Sequence, residues 1–250
     1  MTSSAPPSPN STSEFFTLLR QREEMSRALL HRASRNKLAS YRPYSKQREF
    51  HRLGSIVSPD GNERLFMAGN QQGKTVCGAA EIALHLTGRY PDWWDGAVFD
   101  KPTKVWVAGV TGESTRDNPQ RMLVGPPQIE DSWGTGMLPH DALLTTQRAR
   151  GVPDSLDSCT IRFGGGGSVS QGESILIFKS YEKGREKLQG DTIDAFWFDE
   201  EPPEDVYSEG RVRTQRGQRG FFTLITFTPL LGLSEVVRQF ISSKDVEAMA

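Results

Sequence analysis

Residues 68–75 read Ala68-Gly69-Asn70-Gln71-Gln72-Gly73-Lys74-Thr75. The apolar run Leu65-Phe66-Met67 precedes them, and a segment with helical periodicity follows. A strand, a turn of small residues and a helix in this order are typical of a phosphate-binding loop. In such a loop the backbone N–H groups surround the phosphates, the lysine reaches the β and γ phosphate oxygens, and the threonine hydroxyl binds Mg²⁺. These residues predict a nucleoside triphosphate site, and the alternative is a plain glycine turn between an ordinary strand and helix.

A second motif begins well downstream of this loop. The apolar stretch Phe196-Trp197-Phe198 is followed directly by Asp199 and Glu200. An aspartate at the carboxyl end of a buried strand can hold Mg²⁺ beside the Thr75 hydroxyl, and the next glutamate can polarise a water molecule for attack on the γ-phosphate. The two motifs together predict Lys74 and Glu200 as catalytic residues and Thr75 and Asp199 as metal ligands. Hydrolysis is favoured over transfer to a second substrate.

The remaining apolar segments predict an α/β fold. Nearly continuous apolar runs at residues 104–108, 195–198 and 221–227 are typical of strands inside a parallel sheet. Residues 160–163 and 174–178 predict two further strands joined by a glycine-rich tip, whereas residues 118–151 have too little periodicity to assign. We expect a P-loop NTPase of the ASCE type, with a central, mainly parallel sheet flanked by helices.

The chain divides into three predicted regions. Residues 1–12 are rich in Ser, Pro and Thr and are expected to form a disordered tail. Residues 13–55 predict a basic helical extension, since residues 14–52 hold ten Lys or Arg against four Asp or Glu. That charge fits either a solvated helical face or a surface for phosphate backbones. Residues 56–250 are predicted to be the P-loop domain.

Composition narrows the class of protein further. The 250 residues carry a formal net charge of −1, which argues against a wholly basic nucleic-acid binder. Cys77 and Cys159 lack metal-ligand spacing, so neither a zinc site nor a disulfide framework is indicated. No apolar run approaches the roughly 20 residues of a membrane span, and the sequence predicts a soluble, intracellular protein without a membrane partner.

Four motifs in order resemble the N-terminal ATPase domain of the large terminase subunits of tailed bacteriophages and related viruses, over about residues 41–240. Tyr41-Arg42-Pro43 with Gln47 and Phe50 resembles the adenine-recognition element of that family. The segments that resemble its phosphate-binding loop, acid-tipped strand and coupling motif are Gly69 to Thr75, Phe198 to Pro202 and Thr226 to Pro229.

The resemblance implies a function and a set of partners. It implies that the chain hydrolyses ATP with Mg²⁺ to drive double-stranded DNA into a procapsid. Tyr41 and Gln47 would contact the adenine, and Thr226 and Thr228 would couple hydrolysis to movement. The implied partners are DNA, the portal protein, the small terminase subunit and further copies of the chain in a homo-oligomeric ring, expected to be a pentamer. The implied location is the host cytoplasm, at the portal vertex of the procapsid.

The sequence departs from the general phosphate-loop pattern at one place and from the family pattern at two. Ala68 replaces the usual first glycine of such a loop. Asn70 stands where many family members have an arginine, and Gln189 stands before Gly190 where many have another. The arginine that neutralises charge in the reaction is therefore unassigned. The arginine-finger candidates, any of which could reach the nucleotide of a neighbouring subunit, are Arg185 and Arg213, with Arg211, Arg216 and Arg219 also considered.

Family members continue into a nuclease domain with an RNase H-like fold. No second acidic cluster follows Glu204 in this sequence, so we expect an ATPase domain without that nuclease activity. Two alternatives stay open. One is a helicase-like or recombination P-loop ATPase, and the other is a nucleotide-binding interaction module with negligible turnover.

Overall fold

The structure is a computed structural model that describes residues 9–56, 61–164, 171–229, 234–242 and 247–249. The chain forms two compact units, residues 1–35 and residues 36–250. The first unit contains helix α1, Pro9–Ser34, in which proline occupies the first turn, where its missing N–H costs no hydrogen bond. Residues 9–12, for which the sequence predicts a disordered tail, are helical in the structure, and residues 1–8 lie outside the described residues. The large apolar side chains of α1 are exposed, for example Leu18, Met25 and Leu30.

The second unit begins with two short helices, α2 (Lys37–Ser40) and α3 (Ser45–Leu53). The predicted boundary between residues 55 and 56 thus differs from the division in the structure, which falls between Arg35 and Asn36. The reason is burial, since Leu38, Phe50 and Leu53 of these helices lie in the core of the second unit.

A single sheet organises this second unit. In its described residues the sheet has eight strands, in the order β3-β4-β5-β2-β6-β7-β1-β8. The strands are β1 (Asn62–Met67), β2 (Lys104–Gly109), β3 (Leu143–Arg148), β4 (Leu156–Phe163), β5 (Gly172–Ser180), β6 (Ala195–Asp199), β7 (Phe222–Phe227) and β8 (Glu247–Met249).

The sheet is mainly parallel, as predicted. Strands β5, β2, β6, β7, β1 and β8 pair in parallel, while β3 and β4 form an antiparallel edge beside β5. Strand β7 lies between β1, which leads into the phosphate-binding loop, and β6, which ends in the two acids. This order is the ASCE arrangement and confirms the predicted fold class. The glycine-rich tip predicted between β4 and β5 includes residues 165–170, which lie outside the described residues.

Helices cover both faces of the sheet. Helix α4 (Lys74–Thr87) packs on one face and ends at Gly88, whose φ of 67° is the left-handed conformation predicted for a terminating glycine. Helices α7 (Glu204–Thr214) and α8 (Glu235–Ser242) pack on the other face. The short helix α5 (Gly112–Thr115) precedes the segment that the sequence left unassigned. That segment contains a π-helical turn Arg116–Gln120, the helix α6 (Arg121–Val124), a 3-10 turn Glu130–Ser132 and β3. None of the described helices is both long and apolar enough to cross a bilayer.

A buried ionic cluster joins α3, β1 and α4. Glu81 lies at its centre, where it accepts hydrogen bonds from Arg64 Nη2 at 2.6 Å, His51 Nδ1 at 2.7 Å and His85 Nε2 at 3.3 Å. Burial alone would raise the pKa of Glu81, but the Arg64 guanidinium and the two histidine donors hold that pKa well below its ordinary value. The cluster therefore fixes the position of α3 on the helix that follows the phosphate-binding loop.

Candidate nucleotide site

The phosphate-binding loop presents free backbone donors at the start of α4. Gly73 precedes the helix with a φ of 72°, and no side chain caps the first turn. The first N–H groups of a helix have no partner within the helix, so an uncapped start of this kind suits an anion. Lys74 Nζ donates to the Gly69 carbonyl oxygen at 2.7 Å, which holds the ammonium over the loop. Gln71 also has a left-handed backbone, with a φ of 60°.

The acid-tipped strand meets this loop at the carboxyl edge of the sheet. Asp199 Oδ1 accepts a hydrogen bond from Thr75 Oγ1 at 3.3 Å and another from Thr226 Oγ1 at 2.9 Å. Thr226 in turn accepts from Trp197 Nε1 at 2.8 Å, so its single hydroxyl proton is directed to the Asp199 carboxylate. The structure thus brings together the two residues predicted as metal ligands, and it adds Thr226 as a second hydroxyl on the Asp199 carboxylate.

Asp199 is a buried acid whose surroundings suit a cation. Its side chain is nearly inaccessible to solvent, and burial, followed by the charge of Glu200, raises the pKa of the carboxyl to about 7. The hydroxyls of Thr75 and Thr226 act in the opposite direction. The positive charge of Lys74 also lowers this pKa, by less than burial raises it. Within the described part of the chain, no cluster of three or more His, Cys, Asp or Glu forms a metal site. One carboxylate and one hydroxyl match Mg²⁺, which usually takes its other ligands from phosphates and water.

Glu200 lies next to this carboxylate in a strained backbone conformation. Its φ is 68°, in the left-handed region that residues with a side chain rarely adopt. Such a conformation costs about 1–3 kcal/mol and is typical of functional sites. The N–H of Glu200 donates to the Thr226 carbonyl oxygen at 2.8 Å, which ties the predicted catalytic residue to the end of β7.

The strand end predicted as the coupling motif contacts both halves of the site. Thr226 reaches Asp199, and Thr228 Oγ1 donates to Asn70 Oδ1 of the loop at 3.0 Å. The N–H of Ala68 also faces the Phe227 carbonyl oxygen at 3.4 Å. The end of β7 is therefore positioned to sense changes in the loop and in the acidic strand together.

The predicted adenine-recognition element is only partly in position. Gln47 is buried, and its Nε2 donates to the Gly73 carbonyl oxygen at 2.9 Å, so this residue lies against the loop. Tyr41 and Phe50 are in the core, where the Tyr41 hydroxyl is hydrogen bonded to His51 Nε2 at 3.0 Å. A nucleotide contact by Tyr41 or Phe50 does not fit this burial. The exposed aromatic beside the loop is Tyr44, whose hydroxyl donates to the Gln72 carbonyl oxygen.

The arginine-finger candidates lie near different ends of the strands. Arg185 is exposed and belongs to the 3-10 turn Arg185–Leu188, which follows the carboxyl end of β5. Arg213 is paired with Glu209, and its carbonyl oxygen accepts from Ile193 N, just before the amino end of β6. That edge is about 15 Å from the strand's carboxyl end, at 3.3 Å per residue. Arg211 pairs with Glu63 at the start of β1, and Arg219 donates to the Val98 carbonyl oxygen. Arg216 is exposed in the segment that follows α7.

Sequence reasoning missed three side chains of this site: Tyr44, Trp197 and Tyr181, whose hydroxyl lies 2.9 Å from the Glu200 carbonyl oxygen. Tyr44 stands three positions after Tyr41, and the pattern gave no way to decide which tyrosine faces the loop. Trp197 and Tyr181 lie in or directly after apolar strands, where an aromatic residue is ordinarily part of the core. The signal that could have found Trp197 is its position two residues before Asp199, which turns the two side chains to the same face of the strand.

An ASCE strand order, an uncapped glycine-lysine loop and a buried aspartate beside its threonine define a P-loop NTPase. A family model described as terminase large subunit, T4likevirus-type, N-terminal, matches residues 65–249. The chain therefore belongs to the terminase large subunit family.

Individual relatives agree with this assignment. The chain is 41% identical to the terminase large subunit of Salmonella phage P22 over an alignment of 218 residues, and the match covers 82% of this chain and 42% of that protein. It is 25% identical to the terminase large subunit of Enterobacteria phage LP7 over an alignment of 221 residues, and the match covers 82% of this chain and 44% of that protein. The chain thus spans somewhat less than half the length of these two relatives.

Solved structures share the fold. The large terminase ATPase domain of Thermus phage P74-26 has a TM-score of 0.52 at 17% identity, covering 85% of this chain and 82% of that one. The large terminase of another thermophilic bacteriophage has a TM-score of 0.54 at 14% identity, covering 83% of this chain and 45% of that one.

Proposed function

We propose that this chain is the ATP-hydrolysing part of a phage DNA-packaging motor. The observation that carries the proposal is the meeting of Thr75 and Thr226 on one oxygen of Asp199, next to Glu200 and directly beside the phosphate-binding loop. Two sequence motifs far apart in the chain thus form one site. Hydrolysis is favoured over binding alone because a glutamate directly follows the metal-binding aspartate.

The substrate is ATP, held from two sides. The N–H groups of Gly69 to Thr75 bind the phosphates, and Lys74 exchanges its present hydrogen bond with Gly69 for the β and γ phosphate oxygens. On the base side, Gln47 is already fixed to the loop, and the exposed ring of Tyr44 offers a stacking surface for adenine. We assign the aromatic role to Tyr44 in place of Tyr41.

Four side chains have roles in the hydrolysis of ATP. Thr75 and Asp199 would hold Mg²⁺, which neutralises developing charge on the phosphates when it is bound. Glu200 accepts the hydrogen bond of the attacking water and orients it for in-line attack. Lys74 stabilises the negative charge on the transferred group.

The end of β7 would convert this reaction into movement. Thr226 contacts Asp199 and Thr228 contacts Asn70, so a loop that relaxes after loss of the γ-phosphate changes both hydrogen bonds. The driven movement is the translocation of double-stranded DNA into a procapsid. DNA gripping should be independent of sequence and sensitive to salt, because a motor must pass every sequence and contacts mainly backbone phosphates.

Assembly would complete the site. The chain acts in a homo-oligomeric ring with the portal protein and the small terminase subunit, in the host cytoplasm at the portal vertex. Arg185 is the arginine we favour for a neighbouring subunit's nucleotide, because it is exposed and follows the strand edge that carries Asp199 and Glu200.

The test is phosphate release by the purified chain with Mg²⁺, over a range of protein concentrations. Glu200→Gln should lower turnover by about 10²- to 10⁴-fold while ATP binding persists, and Glu204→Gln is the matched control, since Glu204 lies on the exposed start of α7. Activity that rises steeply with concentration supports a subunit ring. Tight ATP binding without turnover at any concentration would instead support the nucleotide-binding module.

A further inference from the structure

The hydroxyl group of Tyr181 lies where two central strands end. Tyr181 opens the 3-10 turn Tyr181–Lys183 directly after β5, and its buried ring packs against Phe198 with ring centroids 6.2 Å apart. The hydroxyl is within hydrogen-bond distance of three carbonyl oxygens, those of Ala108 at 3.1 Å, Asp199 at 3.1 Å and Glu200 at 2.9 Å. Ala108 is in β2 and pairs with Phe198 of β6, so the phenol bridges the carboxyl ends of these neighbouring strands.

The shortest of these hydrogen bonds is made to the strained residue. A phenol has one proton to donate, and the nearest of its three acceptors is the Glu200 carbonyl oxygen. Glu200 has a φ of 68°, and its peptide N–H is held by the Thr226 carbonyl oxygen at 2.8 Å. The left-handed residue is therefore held on its N–H side by β7 and on its carbonyl side by Tyr181. A strained backbone of this kind persists only where surrounding contacts determine it.

We propose that Tyr181 is a positioning residue that holds Glu200 in its left-handed conformation and so aims the carboxylate at the attacking water. Without the hydroxyl, the Glu200 backbone can relax toward an ordinary conformation, and the side chain then leaves the direction that the left-handed backbone gives it. This inference rests on the proposed role of Glu200 and extends it to a residue that does not touch the reacting atoms.

The same tyrosine links Glu200 to the segment that carries Arg185. Residue 182, next to Tyr181, is a glutamate whose Oε1 accepts from Gly112 N of α5 at 2.7 Å, so the start of the segment is held on both sides. Tyr181 is therefore the residue through which a displacement of the Arg185 segment would reach the backbone of Glu200.

The experiment compares the full chain with Tyr181→Phe, which keeps the ring and removes only the hydroxyl. Tyr90→Phe is the matched control, because Tyr90 is a largely buried tyrosine whose hydroxyl is hydrogen bonded to His85 and to Phe99 N, away from the phosphate-binding loop. We expect Tyr181→Phe to lower kcat by at least about 10-fold and by up to about 100-fold, because a misplacement of about 1 Å can cost 100-fold in rate. KM for ATP should change less than about twofold, because binding depends on the loop rather than on Glu200. Tyr90→Phe should retain the parent kcat.

Two further measurements isolate the role of Tyr181. In a Glu200→Gln background, adding Tyr181→Phe should cause no further loss in single-turnover hydrolysis, since Tyr181 acts through the Glu200 carboxylate. Crystal structures of the parent and of Tyr181→Phe should show a positive φ at Glu200 in the parent alone. This structural comparison does not depend on activity, and a negative φ at Glu200 in the parent crystal would overturn the inference even if Tyr181→Phe folds poorly.

Three results would overturn the inference: an unchanged kcat in Tyr181→Phe, a further loss in the Glu200→Gln background, or a negative φ at Glu200 in the parent crystal. A parent that binds ATP but never hydrolyses it would refute the proposed function instead. In that case a positive φ at Glu200 that is lost in Tyr181→Phe would still support the positioning role.

Discussion

Thr228 Oγ1 donates a hydrogen bond to Asn70 Oδ1 at 3.0 Å, across 158 positions of the chain. The contact links the end of β7 to the phosphate-binding loop at the position where many family members carry an arginine. Strand β7 lies between β1 and β6, so it is the one strand whose carboxyl end can touch the loop and the acidic strand at once. The topology therefore places this strand end where a shift of the loop or of the acidic strand would reach it.

Replacing Thr228 by Val should weaken the link between β7 and the loop without preventing ATP binding. One neutral hydrogen bond contributes about 1 kcal/mol, so we expect an effect of roughly fivefold on turnover. ATP affinity should stay within about twofold, because the loop donors are unchanged. Steady-state kinetics and ATP titration check this, and Thr145→Val on the exposed face of β3 is the control. An equal loss in both variants would contradict a specific role for Thr228.

The raised pKa of Asp199 predicts that the folded chain loses stability as the pH rises toward 7. Its pKa is raised from 3.8 to about 7 in the folded chain, so between these values the folded state binds a proton that the unfolded state has lost. Stability from this group is therefore present at low pH and is lost as pH rises toward 7, by an amount on the order of 4 kcal/mol. Asp199→Asn removes the effect and should be more stable than the parent at pH 8 without Mg²⁺ or nucleotide.

Urea denaturation at pH 5 and pH 8 with a chelator measures the difference between the two proteins. The difference in the free energy of unfolding between the parent and Asp199→Asn should shrink at pH 5, where the Asp199 carboxyl of the folded parent is protonated. Asp157→Asn, at an exposed position of β4, should show no such gap. A parent that is as stable as Asp199→Asn at both pH values would refute the prediction.

The buried cluster around Glu81 should control stability rather than catalysis. Glu81→Gln leaves the Arg64 guanidinium buried without its counter-charge, and breaking one side of a buried pair costs about 3–5 kcal/mol. The double variant with Arg64→Met should lose less, since no unpaired charge remains. Thermal and urea unfolding check this order, with the exposed Glu49→Gln of α3 as control. A double variant less stable than Glu81→Gln would contradict the argument.

Acid should also weaken this cluster through His85. Burial lowers the pKa of His85 below 6.5, although its hydrogen bond to Glu81 opposes this shift. The unfolded chain therefore binds a proton that the folded chain does not, and stability from this group falls as pH drops below about 6.5. The tautomer fits, since Nε2 donates to ionised Glu81 and Nδ1 accepts from the Tyr90 hydroxyl. His85→Gln should flatten the fall in stability between pH 6.5 and pH 5, as measured by urea denaturation, and an equally steep fall in that variant would contradict the argument.

The sequence predicted more of the fold and of the phosphate side of the site than of its surroundings. Motif order was sufficient for the loop and Asp199, because parallel strands bring their carboxyl ends to one edge. Motif order was insufficient for Tyr41, since the burial of its side chain depends on partners such as His51 and Trp93, which no local pattern reveals. Residues 118–151 stayed unassigned because their elements are only three to six residues long, too short to show a period. The partners of Glu81 come from three elements and only meet in the folded chain.

We assign the aromatic contact with adenine to Tyr44 in place of Tyr41, and substitutions at these two residues test that assignment. Tyr44→Ala removes the exposed ring beside the loop and should weaken ATP binding several-fold, since stacking on a base contributes about 1–3 kcal/mol. Affinity for inorganic triphosphate, which lacks the base, should fall less, by no more than the loss of the hydrogen bond from Tyr44 to the Gln72 carbonyl oxygen, about 1 kcal/mol. Tyr41→Phe should behave in the opposite way, with unchanged ATP affinity and a loss of about 1 kcal/mol in stability from the hydrogen bond to His51. Calorimetric titration with ATP and triphosphate, combined with unfolding curves, separates the two residues. If Tyr41→Phe weakens ATP binding more than Tyr44→Ala does, then the assignment of the aromatic contact to Tyr44 is wrong.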